Sequence, residues 1–165
     1  MYYIMEFIRN SCLYLLELAG VNNYDKITNN IYLGNYKASH NDSINSAKFD
    51  VVINCTATLP FNSNKTHNYR LPVYDDLTTR SNVLLFENIM RILPILHTHV
   101  KNNDRILIHC KAGMQRSVTL VIAYLVKYHN LSMEDARFLV KSKRSVAYMT
   151  GSNFNLCLTM LDNNL

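Results

Sequence analysis

The stretch RILIHCKAGMQRSVTLVIAYL, residues 105–125, constrains this chain more than any other. An apolar run with the composition of a buried strand, RILIHC, passes through a short loop into the apolar periodicity of a helix. The loop holds one cysteine, Cys110, one glycine, Gly113, and one arginine, Arg116, just where the helix begins. The first turn of a helix has free N–H groups and a positive dipole end, which together favour an anion, most often phosphate. Gly113 lets the backbone curl into a nest of inward N–H groups, and Arg116 adds a two-pronged fork for phosphate oxygens. The same field lowers the pKa of a cysteine, commonly to about 3.5–7.5. A thiolate at the floor of an anion cradle is built to attack phosphorus.

The elements around this loop alternate. Strands are expected at 30–35 (NIYLGN), 50–56 (DVVINCT), 69–73 (YRLPV, held at a sheet edge by Pro72) and 105–110. Helices are expected at 4–19, from about Ser81 to Lys101 with a kink or break at Pro94, at 116–129, and from SMED (132–135) to about Lys143. A last helix, capped by Ser152, is expected to end near Asn163. This order predicts an α/β fold with a central, mostly parallel sheet flanked by helices. The ligand site of such a sheet lies beyond the carboxyl ends of its strands, where Cys110 stands. Residues 1–25 read as an amphipathic helix and linker, and 26–165 as one catalytic domain, with no internal repeat.

Composition excludes more than it selects. At 165 residues with 48% hydrophobic content the chain can bury a real core. The formal charge of +5 favours anionic partners weakly, since the basic residues are scattered. Their one concentration, Arg137, Lys141, Lys143 and Arg144, reads as a solvated helix face or an anion patch. No basic-aromatic repeat suggests a nucleic-acid partner. Cys12, Cys55, Cys110 and Cys157 have no zinc-ligand spacing, and no metal or cofactor is implied. The first twenty residues are interrupted by Glu6, Arg9, Asn10 and Glu17, so neither a signal core nor a membrane span is expected. These features together imply a reducing, cytoplasmic setting.

The loop sequence IHCKAGMQRS resembles VHCxAGxxRS, the signature of the dual-specificity branch of cysteine-dependent protein phosphatases. The similarity covers roughly residues 26–162. KITNNIYLGN resembles that family's opening strand, FDVVINCT its central strand and LPVYDD its general-acid loop. VKSKRSVAYMTGSNFNLCL resembles the closing segment, with Thr150-Gly151 where the family usually has Pro-Asn, and Phe154 retained. The length and the N-terminal helix are most like the compact poxvirus-encoded members, which implies a viral protein of the virion or host cytoplasm.

The resemblance implies a fold like the protein tyrosine phosphatases and a role for each matching residue. Cys110 is the nucleophile that forms a phosphocysteine, and Arg116 binds the phosphoryl group. Asp75 is the general acid, Ser117 assists departure of the thiolate, and His109 orients the loop from a buried position. Lys111, Ala112, Gly113, Met114, Gln115 and Arg116 line the substrate. From the chemistry alone either Asp75 or Asp76 could serve as the acid or as a turn or helix-capping carboxylate, and the capping role is the one expected of Asp76.

The function implied is hydrolysis of phosphotyrosine and of phosphoserine or phosphothreonine in phosphoprotein substrates. Two alternatives stay open: a phosphoinositide or RNA 5′-phosphatase on the same fold, and a phosphoprotein-binding pseudophosphatase. The apolar stripe of the N-terminal helix must be buried, either on its own domain or on a second subunit of a homodimer. Cys55 ends a strand as Cys110 does, and reads either as an inert core thiol or as a redox partner that traps oxidised Cys110 as a disulfide.

Overall fold

The computed structural model describes residues 19–40, 43, 45, 47–64 and 66–165. The helix expected at 4–19, and with it the dimer reading, lies outside the described residues apart from Ala19. Five strands form one sheet: β1 (Tyr24–Lys26), β2 (Ile31–Gly34), β3 (Val51–Asn54), β4 (His67–Arg70) and β5 (Ile106–His109). Their spatial order is β1-β2-β5-β3-β4. All neighbours are parallel except β1, which turns back antiparallel on β2.

Why these segments are strands is visible in their burial. Every residue of β2, β3 and β5 is buried, as parallel strands covered on both faces must be. Alternate side chains enter different cores. Ile31, Leu33, Val51, Ile53, Ile106 and Ile108 join one large core, while Tyr32, Val52 and Leu107 join a smaller one with Ala38, Ala47 and Phe49. The helices α1 (Thr79–Lys101), α2 (Arg116–His129), α3 (Met133–Lys143) and α4 (Asn155–Asp162) contribute their apolar stripes to the large core. A 3-10 turn, Tyr36–Ser39, contributes Ala38 to the small one.

Several boundaries differ from the sequence expectation. β4 ends at Arg70, before Pro72, and does occupy a sheet edge. β1 is too short and polar (YDK) to announce itself; its partner β2 makes it a strand. The helix α1 runs unbroken through Pro94. An interior proline costs about 3 kcal/mol, but Leu85, Ile89, Ile92, Leu93 and Leu96 are buried along the same helix, each contributing roughly 1.5–3 kcal/mol. This helix is also long and apolar enough to cross a membrane by composition, yet its apolar stripe is part of the domain core. Ser132 caps α3, accepting from the Asp135 N–H at 3.0 Å while its hydroxyl donates to the Asp135 carboxylate at 2.6 Å. Ser152 does not cap α4: its hydroxyl accepts from the N–H of Phe154, which stands at the cap position without a side-chain bond.

Candidate active site

Residues 110–115 form the loop between β5 and α2, beyond the carboxyl end of the central strand. Its shape is set from outside. The Lys111 carbonyl accepts from the Tyr36 N–H at 3.0 Å, and the Met114 carbonyl from the Tyr148 N–H at 3.0 Å. Between them, Arg144 donates from Nη2 to the Ala112 carbonyl at 3.3 Å and from Nε to the Gly113 carbonyl at 2.8 Å. Four successive carbonyls are therefore bonded outward, which turns the loop's N–H groups toward the opposite, concave side. Gly113 has φ +67, and a Cβ there would lie 2.5 Å from the Gly34 carbonyl oxygen and 2.8 Å from Arg144 Nη2. No side chain fits at that position.

Arg144 corrects the reading of the 137–144 basic cluster as a single surface face. It is 1% exposed, and its Nη1 donates to the Asp25 carboxylate at 2.7 Å and to the Asn22 carbonyl at 3.2 Å. Its partners are main-chain groups and a carboxylate more than a hundred residues away, and no local sequence pattern signals such a role.

Cys110 is buried. The Ser117 hydroxyl donates to its sulfur at 3.2 Å. Burial pushes the thiol up, but the Arg116 guanidinium, the Ser117 hydroxyl and the peptide N–H groups of Ser117 and Gln115 outweigh it, leaving the pKa below its ordinary value. His109 is fully buried, and burial drives its pKa down to about 4, with the charges of Arg70, Arg116 and His40 adding to the effect against its bond to the Cys110 carbonyl. It is neutral at pH 7, and its Nδ1–H donates to that carbonyl at 3.3 Å.

Arg116 opens α2 with its side chain 9% exposed. Nη1 donates to the Val73 carbonyl at 2.9 Å, tying the arginine to the acid loop. Nη2 lies 3.6 Å from Asp75 Oδ2, and Nε is buried with no hydrogen-bond partner among the described residues. The Nε–Nη2 edge is thus the prong pair suited to a phosphoryl group. Asp75, its side chain 18% exposed, stands beside that edge. Asp76 does different work. Its carboxylate accepts from the N–H and hydroxyl of Thr78 at 3.1 and 2.8 Å, and Thr78 in turn caps α1. Slight burial opposes, but these bonds and one from Ser81 prevail, so its pKa is lowered.

The loop side chains predicted to line substrate do not all face it. Met114 packs with Val146, Ala112 and Val21, and the Gln115 side chain bonds the closing segment at Gly151 and Asn153. What these residues offer a phosphate is backbone. Cys55, at the end of β3, donates its N–H to the His109 carbonyl at 2.8 Å and lies beside Cys110 on the adjacent strand. Burial raises its pKa well above the ordinary value, and the Cys110 charge adds to this against Arg116. Among the described residues no three His, Cys, Asp or Glu side chains cluster to hold a metal ion; the positive field comes from Arg116 and the loop amides.

Comparisons with known proteins place most of the chain among relatives. Residues 31–163 match the family model of the dual specificity phosphatase catalytic domain. The chain is 33% identical over 124 residues to a putative tyrosine phosphatase, 123R, of Invertebrate iridescent virus 6, covering 74% of this chain and 81% of that one. It is 36% identical over 117 residues to the dual specificity protein phosphatase H1 of Variola virus, covering 69% and 65% of the two chains. The crystal structure of human DUSP28 superposes with a TM-score of 0.76 at 23% identity over 86% of this chain and 94% of that one, a likeness of fold. The chain belongs to the dual-specificity phosphatase family of cysteine-dependent phosphatases.

Proposed function

We propose that this dual-specificity phosphatase hydrolyses phosphotyrosine and phosphoserine or phosphothreonine in proteins through a phosphocysteine. The observation that carries the reading is the Cys110 sulfur, which accepts from the Ser117 hydroxyl at 3.2 Å and heads a loop whose carbonyls are bonded outward and which ends at Arg116. In the first step the thiolate forms a bond to phosphorus as the ester P–O bond breaks. The electron pair leaves with the ester oxygen, which takes a proton from Asp75, because an alkoxide or phenolate leaves poorly unprotonated. Arg116 and the loop N–H groups hold the phosphoryl oxygens throughout. In the second step the Asp75 carboxylate takes a proton from water as the water oxygen attacks phosphorus. The S–P pair returns to Cys110, whose growing charge the Ser117 hydroxyl stabilises.

Support for a protein substrate comes from the family resemblance and from the absence in this short chain of an insertion resembling a deep phosphotyrosine-recognition loop. Tyr74 and Leu77, close to Asp75 in the chain, are exposed apolar side chains, 57% and 65% exposed. Release of p-nitrophenolate from p-nitrophenyl phosphate tests turnover. A panel of phosphotyrosyl, phosphoseryl and phosphothreonyl peptides, phosphoinositides and 5′-triphosphorylated RNA tests the substrate. Faster hydrolysis of lipid or RNA than of every peptide would overturn the protein-phosphatase reading, and binding of phosphopeptides without release would make the protein a pseudophosphatase.

A further inference from the structure

Asp75 belongs to a loop without regular structure, yet one of its oxygens is held by a chain of amides that begins in the cysteine loop. The Gln115 side chain bonds the closing segment twice: Nε2 donates to the Gly151 carbonyl at 2.7 Å, and Oε1 accepts from the Asn153 N–H at 3.0 Å. The Asn153 carbonyl accepts from Asn82 Nδ2 of α1 at 3.3 Å, and Asn82 Oδ1 also accepts from the Cys157 N–H at 3.1 Å. With its peptide fixed on both sides, Asn153 extends its side chain to Asp75, donating from Nδ2 to Oδ1 at 2.8 Å. This is the segment in which Thr150-Gly151 replaces the family's usual pair.

The geometry points to Asn153, braced by Gln115, as a positioning residue that decides which oxygen of Asp75 carries the catalytic proton. An amide N–H can only donate to an oxygen that is not itself presenting a proton along the same line. With Oδ1 occupied by Asn153, the proton of the acid form resides on Oδ2. That is the oxygen 3.6 Å from Arg116 Nη2, on the side of the phosphoryl prongs. The arrangement ties the acid to the same loop that holds the thiolate, so nucleophile and acid keep one relative geometry. Since displacement by about 1 Å can cost about 10²-fold in rate, a loose acid loop needs such a brace.

This assignment rests on the phosphatase reading, and its test separates the two. Turnover of aryl phosphates spanning strongly acidic to weakly acidic leaving phenols would be measured for the parent, Asn153→Ala, Asn153→Leu and Asp75→Asn. Asn153→Leu is close in size and removes the donor without placing a second carboxyl beside Asp75, and thermal melting confirms that each variant is folded. Both Asn153 variants are expected to lose about 10- to 100-fold in kcat on phenyl phosphate and phosphotyrosine, with KM little changed. The loss should shrink as the phenol becomes acidic enough to leave unprotonated. Adding Asn153→Ala to Asp75→Asn should cost less than about twofold more, because the group it positions is already gone. A parent inactive on every ester overturns the phosphatase reading, and this assignment with it. With an active parent, a loss equal across leaving groups, no loss, or a loss that persists in full in the Asp75→Asn background overturns the assignment alone.

Discussion

Two strand ends, DVVINC and RILIHC, look alike in sequence and lie side by side in the sheet, yet their cysteines have opposite character. Cys110 is below its ordinary pKa and Cys55 well above it, although both are buried. Desolvation raises both. The difference lies in the segment that each strand runs into. Past Cys110 the chain turns into α2, which delivers Arg116, the Ser117 hydroxyl and two peptide N–H groups to the sulfur. Past Cys55 it enters a loop in which Thr56 bonds Asn54 and Leu59, and none of these donors serves the Cys55 sulfur. A cysteine at a strand end thus has its pKa lowered by the helix that begins beyond it.

The largest test of that contrast is removal of each thiol. Cys110→Ser should cost at least about 10⁴-fold in turnover with the fold retained, while Cys55→Ser should leave turnover of p-nitrophenyl phosphate within about threefold. Comparable losses from both would break the comparison. A second test is chemical. Iodoacetate at pH 6.5 should alkylate Cys110 at least about 10²-fold faster than Cys55 or Cys157, since only a thiolate reacts; burial pushes Cys157 up to about 12. Peptide mapping by mass reads the sites.

Oxidation sharpens the contrast, because adjacent strands are about 4.8 Å apart, inside the roughly 7 Å limit for a disulfide. Our proposal for Cys55 is that it traps the Cys110 sulfenic acid, losing water as the S–S bond forms. Brief peroxide treatment should give a Cys55–Cys110 linked peptide and activity restored by reductant. Over-oxidised Cys110 alone in the parent would leave Cys55 as core packing.

A smaller effect is expected from the buried brace. Arg144→Met removes the donor to two loop carbonyls and takes from Asp25 its cationic partner, which should cost about 3–5 kcal/mol of stability by denaturant titration. A loss below about 1 kcal/mol would show that the loop holds its shape without it. The smallest effect is the pH dependence of His109. Its pKa falls from an ordinary 6.5 to about 4 on folding, so the unfolded chain binds the extra proton between those values. The stabilisation is present in full above pH 6.5 and is lost as pH falls toward 4, about 3 kcal/mol in all. A His109→Gln variant should show a shallower fall in melting temperature from pH 6.5 to 4.5, and an unchanged slope would remove His109 from the cause.

The α/β order of elements, the buried strands and the cysteine loop were legible in the amino-acid sequence, because these rest on local regularities. Apolar runs of strand length, a glycine that lets the backbone curl and a helix start read directly from neighbouring residues. Cys110, Gly113, Arg116 and Ser117 come together for the same reason, since all lie within eight positions of one turn. Only the assembled fold settled which of two adjacent aspartates stands by Arg116 and which bonds Thr78, the cap of α1, a choice between neighbouring carboxylates that depends on their partners. The fold also turned Arg144 from one more basic residue into the support of the loop, made YDK a strand by pairing it with β2, and carried α1 through Pro94 on its buried face. It joined Gln115 to Asn153 and Asn153 to Asp75. Each of these depends on which groups the folded chain brings together in space, by hydrogen bond, ion pair or burial, and a pattern of neighbours along the chain carries no record of that meeting.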